Sequence, residues 1–445
     1  MGSSISPFAT TIVVSILVAA CGSAPSPTPI TTPPPAGPPA PSTPALASMS
    51  PSGSVAPTAD AAVWLDAGDL REPRNATNVV VVGTGEVLVV GSDYQTSWGS
   101  ACGAATSGSD SVEIGNPEKG VWKKTTSLPS RREAPVLVAL RDGRALLTGG
   151  ETGENDGNVA YSSTYVFDPA DRSWTQSGLM NTARSNPAAV LLADGRVLVA
   201  GGFYNDRTQA RVLDSSELWD PVSGTWTRTG RLAGTRWGAS AVTLEDGRVL
   251  IVGGVASQES APIEQASAEI YDPDSGRWTS AGTLATARSG FVLVALSDGG
   301  ALVAGGLGDL ATTGLPRLST VERFDPGANR WSAAEDLPFP VVGASGIRLA
   351  DGRVLLAGGS VREPELIDAD AGTFVSGFTA DAALFDPETG AWTATAPMPS
   401  PRAGASVVLL ADGSAVFAGG SAYEGPGTPP CPEAHPQVVR YVPGS

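Results

Sequence analysis

The segment RSNPAAVLLADGRVLVAGG (Arg184–Gly202), followed after a variable loop by SSELWDPVSGTW (Ser215–Trp226), is one copy of a pattern that the chain writes seven times. In every copy a tryptophan is followed 27 residues later by a glycine that ends a short apolar run: Trp64/Gly91, Trp122/Gly149, Trp174/Gly201, Trp226/Gly253, Trp278/Gly305, Trp331/Gly358 and Trp392/Gly419. A fixed internal period means that the fold is one small unit repeated along a line or around an axis. Nothing within the unit reads as helix. Runs of 4 to 8 residues rich in Val, Leu and Ala alternate with Asp-Gly and Asp-Pro punctuation, the pattern of short strands joined by tight turns. Asp-Gly fits the positive φ values of a type I′ turn, so strands one and two of each unit form a hairpin. Four strands per repeat of about 52 residues account for the length, and such a sheet buries both faces only between neighbours.

These features resemble the kelch repeat, a diglycine followed by a downstream aromatic residue and Trp, over about residues 61–442. Full diglycines recur at Gly149-Gly150, Gly201-Gly202, Gly253-Gly254, Gly305-Gly306, Gly358-Gly359 and Gly419-Gly420, whereas the first copy has Gly91-Ser92. The resemblance implies an all-β fold, a seven-bladed kelch-type β-propeller with four antiparallel strands per blade. A linear solenoid fails at the ends. The first Trp, in AAVWLD, precedes the first diglycine-like turn, and the last diglycine is followed by one strand, QVVRYV, with no Trp after it. The N-terminal strand therefore completes the C-terminal blade and closes the ring, which removes an exposed sheet edge.

Cys102 and Cys431 both fall in loops between strands two and three, in blades that closure makes neighbours, and a disulfide between them is expected. Cys21 belongs elsewhere. Residues 12–20 form a short apolar run ending in LVAAC, and a Pro, Ser, Thr and Ala tract follows to about residue 58. This resembles a bacterial lipoprotein signal peptide, although residues 1–11 contain no Lys or Arg. The expected organisation is a signal peptide at 1–20, lipidated Cys21 with a disordered Pro-rich spacer at 21–59, and the propeller at 60–445. It implies export, anchoring to the outer face of a bacterial membrane through the Cys21 lipid alone, and a compartment that permits disulfides.

A formal net charge of −17 argues against nucleic acid as a partner. His435 is the only histidine, which excludes a multi-histidine metal site and copper chemistry of the galactose oxidase kind, and no cofactor is expected. Length variation concentrates in the loops between strands two and three, so a ligand is expected on the face they share with the interblade links. Ten residues after each Trp stands an arginine: Arg74, Arg132, Arg184, Arg236, Arg288 and Arg402, with Val341 in the blade-six place. If strand one is innermost, as in kelch propellers, these arginines ring the channel mouth. They either hold carboxylated or sulfated ligands or pair with Glu113, Glu217, Glu269 and Glu322 to tie the scaffold together. Trp98, Tyr204, Trp237, Tyr423 and His435 break the repeat symmetry on the same face and complete the candidate binding surface. Two functions fit: a monomeric, non-catalytic module for a protein or glycan ligand, or a carbohydrate-active enzyme of the sialic acid mutarotase type using loop carboxylates such as Glu151 and Asp206.

Overall fold

The computed structural model describes residues 62–75, 77–91, 109–153, 157–256, 264–308, 316–361, 365–368, 373–375, 377–422 and 433–444. They form seven antiparallel blades of four strands each, the seventh with an added short strand, Ser421–Ala422, paired with Ala434 and Glu433, and three two-stranded sheets outside the blades. Blade three shows the plan: Ala188–Leu191 pairs with Val197–Ala200, which pairs with Ser216–Trp219, which pairs with Trp226–Arg228. The first strands of neighbouring blades touch all the way round, so strand one is innermost. Blade seven is composite. Its outer strand is Val63–Arg74, antiparallel to Glu433–Val442 with Trp64 opposite Tyr441 and Leu65 opposite Arg440. The ring closes through this seam, and the expected architecture stands.

The hydrophobic core is not central but interblade. Seven apolar clusters occupy the seven interfaces, for example Leu198, Leu218, Ala241 and Ile251 between blades three and four, and Ala67, Leu70, Val89 and Val416 across the seam. The periodic tryptophan serves the same interfaces. All seven indole N–H groups donate to the preceding blade, from Trp64 to Ala396 O (2.7 Å) round to Trp392 to Glu335 O (3.0 Å). In five blades the ring also packs on the strand-three aromatic opposite it, with centroids 5.0 to 5.2 Å apart.

The diglycine passes between two backbones. At Gly201 (φ +66°) an added Cβ would lie 2.4 Å from Arg236 O, and at Gly202 (φ +98°) 2.8 Å from Ser185 O. Gly202 N–H donates to Arg236 O at 2.8 Å, so the motif ties its blade to the next. The Asp-Gly turns differ from the type I′ expectation. Gly195 has φ +90° while Asp194 is not in the left-handed region. Gly195 N–H donates to Leu192 O and Leu192 N–H to Arg196 O, giving a type I turn followed by a left-handed glycine. The cause is the Asp side chain, whose Oδ1 accepts Arg196 N–H at 2.9 Å and whose Oδ2 holds the Arg196 guanidinium at 2.6 Å.

Candidate functional site

The interblade links and the strand two to three loops share one face, and the six arginines enter it from the links. They do not line an open mouth. Each is 1% exposed or less, turned into its own blade. Arg184 donates through Nη1 to Gly201 O (2.6 Å) and Ser215 O (2.9 Å), and through Nη2 to Ser215 Oγ (3.2 Å) and Glu217 Oε1 (2.9 Å). Glu217 also accepts the link amides Asn181 N–H at 2.7 Å and Thr182 N–H at 2.9 Å. Arg74–Glu113, Arg236–Glu269 and Arg288–Glu322 repeat this arrangement. The carboxylate-pairing alternative is the one the geometry realises in four blades. Burial pulls Arg184, Arg236 and Arg288 below the usual arginine range, and the paired carboxylates oppose that pull.

Three blades break the rule, and repeat alignment alone could have flagged them. In blade two Tyr165 takes the glutamate position, and the Arg132 guanidinium lies 4.4 Å from the Tyr161 ring and 5.1 Å from the Tyr165 ring. Blade six has Val341 for the arginine and Ala383 for the glutamate, an apolar replacement of the whole pair. In blade seven Val439 holds the glutamate position, and Arg402 donates instead to Gln437 Oε1 (2.8 Å), Gln437 O (2.7 Å) and Ser400 Oγ (2.7 Å).

His435 joins that last network. Its Nδ1 accepts Gln437 N–H at 3.1 Å, so the proton of the neutral ring is on Nε2, 3.3 Å from Ser400 Oγ. The imidazole therefore donates to the serine and is not placed to deprotonate it. Burial first, then the Arg402 charge, lower His435 to about 4, which keeps it neutral at physiological pH.

Tyr204 sits on a small hairpin, Phe203–Asn205 paired with Ala210–Val212, that projects from blade three. Its hydroxyl donates to Asp206 Oδ2 at 2.6 Å and the Arg211 guanidinium lies 4.3 Å from its ring centroid. The Tyr204 hydroxyl and the Thr208 hydroxyl and N–H hold the Asp206 carboxyl far below its ordinary range. The hairpin is locked to the blade-two loop, with Asn205 Nδ2 donating to Gly157 O (3.2 Å) and Ala160 N–H to Asn205 O (2.9 Å). Trp237 is half-buried, its backbone bridged to Val255. Glu151 accepts Ser185 Oγ at 3.2 Å. Trp98, Tyr423, Cys21, Cys102 and Cys431 lie outside the described residues. Among the described residues no group of three His, Cys, Asp or Glu is arranged to hold a metal ion.

No family model matches the chain. It is similar to mouse Kelch-like protein 36, 24% identical over 291 residues, which is 65% of this chain and 44% of the relative. It is also similar to human Kelch-like protein 34, 27% identical over 250 residues, 54% of this chain and 36% of the relative. The chain thus spans less than half the length of these curated relatives. Among solved structures a fungal alcohol oxidase of the AA5 family, in complex with copper, matches at a TM-score of 0.62 and 20% identity, over 87% of this chain and 77% of that one. That likeness is one of fold. The donor set here does not fit a copper centre, since the single histidine has both ring nitrogens hydrogen-bonded. Repeat sequence, seven-bladed ring and these likenesses together make the chain a kelch-repeat β-propeller.

Proposed function

We propose that this propeller is a binding module, anchored outside a bacterial membrane through lipidated Cys21, that docks a protein partner on the face of the strand two to three loops. The observation that supports this reading most is the asymmetry of the two faces. One face repeats a minimal Asp-Gly turn closed by the same side-chain contacts in blade after blade. The other carries the loops in which the blades differ, including the projecting Tyr204 hairpin. A rigid scaffold with variable loops on one side is how binding surfaces are usually built. The arginines are committed to the scaffold, so recognition falls to the loops and not to a charged ring. That favours a protein surface over an acidic sugar. Neither turnover chemistry nor a glycan is favoured by any described side chain: His435 donates to Ser400, and Asp206 is held by its own hairpin. A Cys102–Cys431 disulfide across the seam belongs to the same proposal, since export supplies an oxidising compartment.

Photo-cross-linking in cells tests this. A photoreactive residue at Tyr204 or Trp237 is expected to give one shared adduct. The same residue at Val222, 95% exposed on the opposite face, is expected to give none. Cys21→Ala is expected to abolish both lipid labelling and that adduct. Equal capture from Val222, or no adduct from either loop position in a folded, lipidated protein, would overturn the docking face. Loss of lipid labelling with the adduct intact would separate the anchor from the binding.

A further inference from the structure

The first and last strands meet at the chain's one histidine. His435 lies opposite Arg74 in the register of the seam, two residues from Gln437, which lies opposite Asp69. The ring is held through both of its nitrogens. Gln437 N–H donates to His435 Nδ1, His435 Nε2–H faces Ser400 Oγ, and Ser400 Oγ accepts Arg402 Nη2–H while donating to Gln437 Oε1 at 3.1 Å. Both ring nitrogens are engaged, and the pattern around them is complete only for a neutral imidazole.

We infer that this seam is an acid-sensitive latch: protonation of His435 loosens the pairing of Val63–Arg74 with Glu433–Val442 while the six other blades stay formed. A proton added at Nδ1 would meet the Gln437 amide N–H, a donor against a donor, and that backbone donor cannot be reversed. It would also place a positive charge beside Arg402, for which no carboxylate stands within ion-pair distance among the described residues. The other charges near the ring do not offset this. On the N-terminal strand Arg74 is opposite His435 and is already paired with Glu72 and with Glu113 of blade one. Asp69 acts on Arg402, which burial lowers to about 10 and which stays charged in the range that matters. Relief comes only by moving the ring out, which gives up the Gln437 N–H bond. Gln437 also supplies two acceptors to Arg402, so the strand and the link into blade seven loosen together.

The sign follows from linkage. The folded-state value, about 4, lies below the ordinary 6.5, so the unfolded chain binds more protons between them. The seam is fully secured above about pH 6.5 and weakens as pH falls towards 4. A single histidine gives a single imidazole signal, so NMR titration of the full chain reads it directly. The expected midpoint is near 4, and a midpoint at 6.5 or above would overturn the latch. Amide hydrogen exchange at about pH 7.5 and about pH 5, corrected for the intrinsic pH dependence of exchange, locates the effect. Protection in both seam strands is expected to fall on the order of tenfold while Ser216–Trp219 of blade three is unchanged. His435→Asn, which keeps an acceptor for Gln437 N–H, is expected to remove the pH dependence. Equal loss in that variant, or no loss in the wild type, would contradict the inference, and should the variant fail to fold the first two measurements still decide it.

Discussion

A buried arginine in this molecule is held by geometry that blade six does without. Arg184 and Glu217 are fully desolvated, and their mutual attraction largely offsets the cost of burying each. Removing one partner leaves the other charged in the blade interior. Glu217→Ala is therefore expected to destabilise by about 3 kcal/mol, because it also orphans the Asn181 and Thr182 amides. The double substitution Arg184→Val with Glu217→Ala reproduces the Val341 and Ala383 arrangement of blade six and is expected to cost less than the single one. Chemical denaturation of the two variants checks the order, and a double variant worse than the single would show that the pair contributes net stability. The pairing was legible in the sequence only as one of two alternatives, from Arg and Glu recurring at fixed offsets from the tryptophans. The burial was not, because a period gives spacing along the chain and says nothing of whether a side chain turns to the channel or into its own sheet. Tyr165 and Val439 stand at the repeat position of Glu217 and are legible as exceptions by alignment, whereas Gln437, two residues from that position, was not legible as the group that takes over Arg402.

At the scale of the element, the two kinds of glycine in each repeat do different work. Gly195 closes a turn in open surroundings, where an added Cβ would come no nearer than 3.6 Å to the flexible Arg141 side chain. Gly202 is wedged against Ser185 O at 2.8 Å. Alanine at Gly195 meets only the strain of a left-handed φ, about 1 kcal/mol. Alanine at Gly202 adds a collision with backbone and is expected to cost at least about 2 kcal/mol. Thermal unfolding of the two variants checks this, and equal losses would mean that conformation alone selects the diglycine. The strands and their order were readable because apolar runs, Asp-Gly and Trp repeat without drift. The turn type was misread because Asp-Gly satisfies two turn geometries. What decides between them is the Asp194 carboxylate capping the amide two residues on, a side-chain contact that the dipeptide alone does not specify.

For the whole molecule, stability lies in seven interfaces and not in seven sheets. Each blade contributes its apolar faces to two clusters and its tryptophan N–H to the blade before it, so no blade is independent of its neighbours. Closure makes the chain ends structural, and the seam strand brings Ala67 and Leu70 into the interface between blades seven and one. Fold and closure were legible because the count of strands before the first repeat and after the last is plain in the sequence. The binding face was legible only as a face. Its loops carry no period, and a partner is recognised by side chains whose placement depends on packing between neighbouring loops, as the Asn205 to Gly157 contact shows.

Calorimetric melting of two shortened chains decides whether the ring is closed by its own N-terminal strand. A chain beginning at Ala62 is expected to melt with the full-length protein. A chain beginning at Asn75, which lacks Val63–Arg74, is expected to melt on the order of 10 °C lower or not to fold, because it opens blade seven and bares the apolar cluster beneath the strand. Identical melting of the two shortened chains would contradict closure.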